Sequence, residues 1–381
     1  MLYCKLVKLI NIKRNDMKKI YLILAILSII LLSCSEENGT NPDKEPDPKK
    51  YDIPDTYNFD NVDLSRQLTQ FEMIDEIKKT IIDAIENKVS INAGVLNRMY
   101  YNIGTPFNNP NLNASEESLY TVTDPLRTSF FEFYIADINN ASTTGTAANN
   151  KKGILTSNDN SQTILVDSVG KEYLVMIEKG LMGALFFYQV AQVYTSEAKI
   201  GKDVDNKEVI EGKGTQMQYN WDQAFGYFGA TIEFPKSNSN IRYVAKLSDE
   251  LDAFLNTNSL LMKEGFIKGR AAINNDDSKG KNEAIASIRK NWELVLAATA
   301  IRHLTEAKKN FEDKALKHHN LTSAWILLWS IQYNPQSNGY FYENAQAEIG
   351  TNFWNTTIDG IDKAIDILVN AYNLQEVKNA S

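Results

Sequence analysis

One stretch of this chain leaves little choice of architecture. Residues 181–194, LMGALFFYQVAQVY, are apolar nearly all the way round when wound as a helix. A helix with one apolar stripe can lie on a surface, whereas one apolar on every side has to be surrounded. The segment therefore calls for a mainly α fold in which other helices enclose it. A membrane span is the competing expectation. It is disfavoured by Glu178 and Lys179 at one end, by Gln189 and Gln192 inside, and by length, since a span takes about 20 apolar residues.

Helices able to enclose it are present. Phe71, Ile74, Ile77, Ile81 and Ile85 recur at spacings of three and four, which puts them on one helical stripe. Ile285, Ile288, Trp292, Val295 and Thr299 do the same, with Lys290 and Glu293 expected on the outer side. Ile358, Ile361, Ile365, Leu368 and Tyr372 form a third stripe opposite Asp359, Asp362, Lys363 and Asp366. Asn220 followed by Gln223 reads as a capped helix start. Two short runs rich in branched residues, 153–156 and 163–166, flank SNDNSQ and predict a small β-hairpin near 153–166. Residues 199–213 and 334–352 read as loops.

The first 50 residues stand apart from this body. Residues 20–32 form an apolar run preceded by Lys18 and Lys19 and ending in Ser33-Cys34. A run of this length suits a signal peptide, and a small residue before cysteine suits cleavage and lipidation at Cys34. Residues 1–33 are thus expected to be a signal peptide whose true start is Met17. Residues 34–50 would be the lipidated cysteine and a flexible linker, and 51–375 the helical domain. The chain has two cysteines, Cys4 and Cys34, so the mature body would contain no thiol, and disulfides and cysteine nucleophiles are ruled out there. Ser35-Glu36-Glu37 behind the lipid site resembles the surface-export signal of Bacteroidetes lipoproteins, with a solvated acidic linker as the alternative. The expected location is the outer membrane, facing outward, with a periplasm-facing lipoprotein as the alternative, and the membrane itself is the expected partner. A net charge of -8 without any basic aromatic cluster excludes nucleic acid as an expected partner.

Signatures of catalysis are missing. The chain has no His-Glu-x-x-His, no Gly-x-Ser-x-Gly and no phosphate-binding glycine loop. Ser196-x-x-Lys199 and Ser287-x-x-Lys290 lack the companion motifs of penicillin-binding enzymes. The histidines are His303, His318 and His319. His318 and His319 precede the stripe Leu321, Ala324, Trp325, Leu328 and would stand at a helix start, one of them able to point inward as a metal ligand or proton carrier. Tyr340, Phe341, Tyr342, Trp354, Tyr100 and Tyr101 lie in or near loops, where such rings fold back on a core more often than they stack on sugars.

Five blocks occur in order: 57–65 (YNFDNVDLS), 178–184 (EKGLMGA), 221–229 (WDQAFGYFG), 268–273 (KGRAAI) and 319–335 (HNLTSAWILLWSIQYNP). Together they resemble a family of Bacteroidetes lipoproteins with a domain of unknown function, the 4856 family, over roughly residues 51–374. That family is similar to the imelysins, and the resemblance implies helical bundles, two of them or one, with a cleft. It also implies a non-catalytic role in acquiring iron or another metal, with a metal ion as the ligand or cofactor. The histidine matching His319 carries glutamate four residues later in the family; here that position is Ser323, and the imelysin Gly-x-His-x-x-Glu motif is absent. Glu178, which begins the most apolar helix, is then the carboxylate expected to join His319 at a metal site. The alternative role is a glycan-binding or transport-accessory lipoprotein serving an outer-membrane nutrient importer.

Overall fold

The computed structural model describes residues 50–337 and 339–380. The expected signal peptide, Cys34 and nearly all of the linker lie outside the described residues. Helix α1 spans Ser65–Glu86, α2 Ala93–Tyr101 and α3 Thr128–Thr143. An antiparallel hairpin follows, β1 Gly153–Thr156 and β2 Thr163–Val166, with Gly153 opposite Val166 and Thr156 opposite Thr163. Helix α4 is Tyr173–Tyr194, α5 Gln216–Phe228 and α6 Tyr243–Leu255. Helix α7 covers 259–274, α8 is Ser278–Lys309, α9 Lys314–Ser330, α10 Phe341–Ile349 and α11 Ile358–Tyr372. The fold is mainly α with one small hairpin, as the periodicity predicts.

Helix α4 lies inside, packed against α1, α3, α5 and α9. From Leu181 to Ala191 every residue except Tyr188 is buried. The helix passes the length and apolarity test for a membrane span, but most of its apolar window is buried within the body. Its two polar breaks are answered by carbonyls: Gln189 Nε2 donates to Val122 O at 2.6 Å and Gln192 Nε2 to Tyr333 O at 3.1 Å. Periodicity does not foretell its winding. Residues Met182–Phe187 and Gln189–Tyr194 are π-helical, a wide turn that is rare in proteins. Close approach is built in at Gly183, where a Cβ would fall on the Ser330 side chain of α9. Phe187 stacks on Trp292 of α8, ring centroids 5.1 Å apart.

A second device joins the N-terminal segment to α5 and α7. The Tyr57 hydroxyl donates to Asp222 Oδ1 at 2.6 Å, and Arg270 Nε donates to the same oxygen at 2.9 Å. Asp222 and Arg270 are almost wholly buried. The Tyr57 ring stacks on Phe225 at 3.6 Å, and the guanidinium lies 5.2 Å from the Phe59 ring. Trp221 Nε1 donates to Phe266 O at 3.0 Å, and the bare Cα of Gly269 is what lets the Trp221 ring lie against α7. Burial pushes the Asp222 carboxyl up to about 6, while Arg270 and Tyr57 pull it down. Removing one partner of such a pair leaves an uncompensated buried charge. Arg270→Met should therefore cost about 3–5 kcal/mol in chemical denaturation. Asp222→Leu combined with Arg270→Met should cost less than the single change; a double variant as unstable as the single would refute the stranded-charge account.

The hairpin rests on the start of α9. Leu155, Ile164 and Val166 pack with Ala315, and Trp354 closes the cluster. Asp313 secures both parts: its Oδ1 accepts from Leu316 N at 3.1 Å as the cap of α9, and its Oδ2 accepts from Asn158 N in the hairpin turn at 2.7 Å. Nearby, His318 is fully buried, its ring 4.4 Å from that of Trp354. His318 Nδ1 donates to Gly170 O at 2.8 Å. Burial lowers the His318 pKa to about 4. A base depressed in the folded state stabilises fully above its unfolded pKa, near 6.5, and loses that contribution as pH falls toward 4. The loss should reach about 3 kcal/mol at 1.36 kcal/mol per pH unit. Denaturation of wild type and His318→Gln between pH 7 and 4 checks this: the variant's stability should change less with pH.

Several expectations are corrected. Helix α5 begins at Gln216 under a Thr215 capping box, not at Asn220. Asn220 sits inside the helix and donates to Lys199 O at 2.6 Å, because that carbonyl lies within reach and the true cap is five residues upstream. Helix α9 begins at Lys314, so His318 and His319 lie in its second turn, and α10 occupies part of the expected 334–352 loop. Ile358 remains exposed at the first position of α11, whereas Ile361, Ile365 and Leu368 are buried. Glu293 is buried rather than outward, because Tyr372, Ser337 and Asn334 all donate to it.

Candidate functional site

Most ionisable side chains in this body sit at its edge. One group sits where α4, α8 and α9 meet. Glu172 precedes α4 by one residue and is buried; its backbone N donates to Thr322 Oγ of α9 at 3.0 Å. Lys179 follows it by seven residues, two helical turns, and so faces the same way. His303 comes from α8, and His319 and Asn320 from α9.

Their hydrogen bonds order the group. Asn320 Nδ2 donates to Leu316 O at 2.9 Å, which turns Oδ1 toward His303 Nδ1, 2.9 Å away. His303 Nδ1 must then carry the proton, and Nε2 presents a lone pair. Lys179 Nζ donates to that lone pair at 2.8 Å. Burial is the main force lowering the Lys179 pKa to about 8, opposed by Glu178 and Glu172. Burial also holds His303 well below the ordinary histidine value, with the Lys179 charge adding to it. Lys179 is consequently an ammonium at neutral pH beside a neutral imidazole. His319 Nδ1 lies 2.7 Å from Glu172 Oε2, and the His303 and His319 rings are 6.4 Å apart. Lys179, His303 and His319 are each half-buried.

The two residues put forward from the sequence do not pair with one another. Glu178 turns toward α1 and binds Lys78 at 2.8 Å, while the carboxylate of His319 is Glu172. Among the described residues no group of three or more His, Cys, Asp or Glu side chains is placed to hold a metal ion. The reason at this site is electrostatic: the Lys179 ammonium occupies the lone pair through which His303 would bind a cation. A resident bare metal ion does not fit there. Lys179 and Asn320 stand inside the 178–184 and 319–335 blocks but no motif marks either as a site residue, and Glu172 lies outside every block. What the arrangement can do is clear from its parts. An ammonium that has spent one hydrogen on His303 offers its remaining ones to an anion. A histidine oriented through Nδ1 by a carboxylate has Nε2 positioned as a ligand, the arrangement common behind metal-bound histidines.

The residues of the five sequence blocks meet at these places. Tyr57, Trp221, Asp222, Gly269 and Arg270 form the buried device of α5 and α7; Lys179 and His319 lie in the polar group; Gly183 sets the spacing of α4 and α9. The chain is matched over residues 54–364 by the family model described as Domain of unknown function (DUF4856). The chain belongs to that family. No match is found among curated proteins or among solved structures.

Two substitutions probe the geometry. His303→Gln keeps an acceptor near Lys179, whereas His303→Leu removes it and leaves the ammonium short of a partner. The leucine variant should melt earlier than the glutamine variant by about 1–3 kcal/mol of stability, the cost of an unsatisfied buried group. Equal melting curves would mean that the Lys179–His303 contact contributes nothing.

Proposed function

We propose that this protein is an exported lipoprotein, held on the outer membrane through Cys34 and facing outward, that binds without catalysis. Its role is acquisition of iron or another metal, comparable to that of imelysins, with transfer to an outer-membrane importer. The cargo is a metal carried inside an anionic chelate rather than as a bare ion. The observation that carries this reading is Lys179 Nζ at 2.8 Å from His303 Nε2, which sets a positive charge where a free cation would otherwise bind. Lys179 would pair with a carboxylate of the chelate, and His319 Nε2, oriented through Glu172, would face its metal.

Ferric citrate and free zinc, titrated separately into the full chain, test the cargo. Ferric citrate should bind, and Lys179→Met and His319→Ala should each weaken it at least tenfold, about 1.4 kcal/mol. Tighter binding of free zinc than of the chelate, or no binding of ferric citrate, would overturn the reading. The anchor is checked apart: Cys34→Ala should abolish incorporation of radiolabelled palmitate and release the protein from membranes.

A second reading, a glycan-binding accessory to a nutrient importer, is supported by rings that stay outside the core. Tyr340 is 74% exposed and Phe341 42%, whereas Tyr100 is buried and Tyr101 and Trp354 are half-buried.

A further inference from the structure

Beside those two rings runs a groove of about 940 Å³, within the size range of small-molecule sites. Its floor is α8, one wall is α7, and the other is formed by Asn334, Gln336, Ser337, Phe341 and the end of α11. We propose that this groove binds a neutral oligosaccharide. The inference rests on the glycan-binding reading and is independent of the chelate site, since Glu293 and His303 stand ten residues apart on α8, about 15 Å along its axis.

Charge argues first. The groove is lined by Glu264, Glu283 and Glu293 against Lys268 and Lys290, three negative and two positive. Lys268 and Glu283 neutralise one another at 2.8 Å. Glu293 is committed at the base: Oε1 accepts from Tyr372 OH at 2.6 Å and Ser337 Oγ at 3.0 Å, and Oε2 accepts from Asn334 Nδ2. What remains offers little attraction to a polyanion or a polycation.

Hydrogen-bonding capacity is the second argument. Asn291, Asn334, Gln336, Ser337 and Asn373 line the groove; Asn291 and Asn334 spend their amide hydrogens on Ser287, Arg289 and Glu293, and Ser337 donates to Glu293, which leaves the Gln336 and Asn373 side-chain amides to donate to a ligand. Amides and hydroxyls both donate and accept, which matches the hydroxyls of a sugar better than it matches an apolar ligand. Glu293 ties α8, the 334–337 segment and α11 together, so these groups are held in place before a ligand arrives. The third argument is the Phe341 ring, which lines the groove yet is 42% exposed. A Cβ on Gly339 would meet that ring at 2.5 Å, so the backbone passes close to it. An exposed aromatic ring presents a face on which the apolar side of a pyranose can rest, and the exposed Tyr340 precedes Phe341 in the chain.

The test uses the full chain with a panel of maltotriose, cellotriose, xylotriose, mannotriose and, as an acidic member, trigalacturonic acid, by isothermal titration. At least one neutral trisaccharide should bind. Phe341→Ala and Asn334→Ala should each reduce that binding tenfold or more, and Lys179→Met should leave it unchanged. Circular dichroism confirms that each variant is folded, which the exposure of Phe341 favours. Binding that survives Phe341→Ala, Tyr340→Ala and Asn334→Ala would place the sugar elsewhere and overturn the groove while keeping the glycan reading. No binding of any neutral member would overturn both. Tighter binding of trigalacturonic acid would overturn the neutral class.

Discussion

The shared oxygen of Asp222 is the point on which the body's assembly turns. Tyr57 brings in the segment ahead of α1, Arg270 brings in α7, and Asp222 itself comes from α5. A salt bridge out of water adds little net stability by itself, since desolvation offsets the attraction. Its value is selective: any packing of α5 and α7 that separates the pair strands a charge. Around it the fit is tight, with Phe225 flat on Tyr57 and Trp221 lying where Gly269 has no side chain. Apolar burial drives the helices together, and this ionic contact penalises any arrangement that parts Asp222 from Arg270. Three of the five sequence blocks, 57–65, 221–229 and 268–273, contribute to it.

The central helix works by a different logic. Because its apolar surface runs all round, many neighbours would satisfy it, and periodicity alone leaves its rotation free. The Gly183–Ser330 contact removes that freedom by allowing α9 close approach on one side only. The π turns then carry Phe187 against Trp292. One consequence reaches the polar group, since Lys179 lies one turn before Gly183 on the same helix. The place where α4 meets α9 also sets how deep the ammonium sits.

How much of this could be read in advance depends on the kind of residue. The helical stripes were legible because three- and four-residue spacing is local: Phe71, Ile74, Ile77 and Ile81 are all buried. The hairpin was legible for the same reason, from two branched runs around a polar turn. Glu293 was misplaced because a helical wheel puts it opposite Trp292's stripe, while its partners Tyr372 and Ser337 arrive from 79 and 44 residues away. The polar group was half legible. His319 stood out as one of three histidines, but its carboxylate lies 147 residues earlier at Glu172, and Glu178 beside it belongs to α1 through Lys78. No spacing rule links such residues; only the crossing of α4, α8 and α9 does.

Asp313 has a consequence of another kind. One of its oxygens begins α9 and the other holds the hairpin turn. The helix that carries His319 and Asn320 and the small sheet at the surface thus take their positions from the same carboxylate. A change at this one position would be felt twice, at the rim of the molecule and two turns inward, and substitutions that arise in the hairpin turn are answerable to a site they never touch.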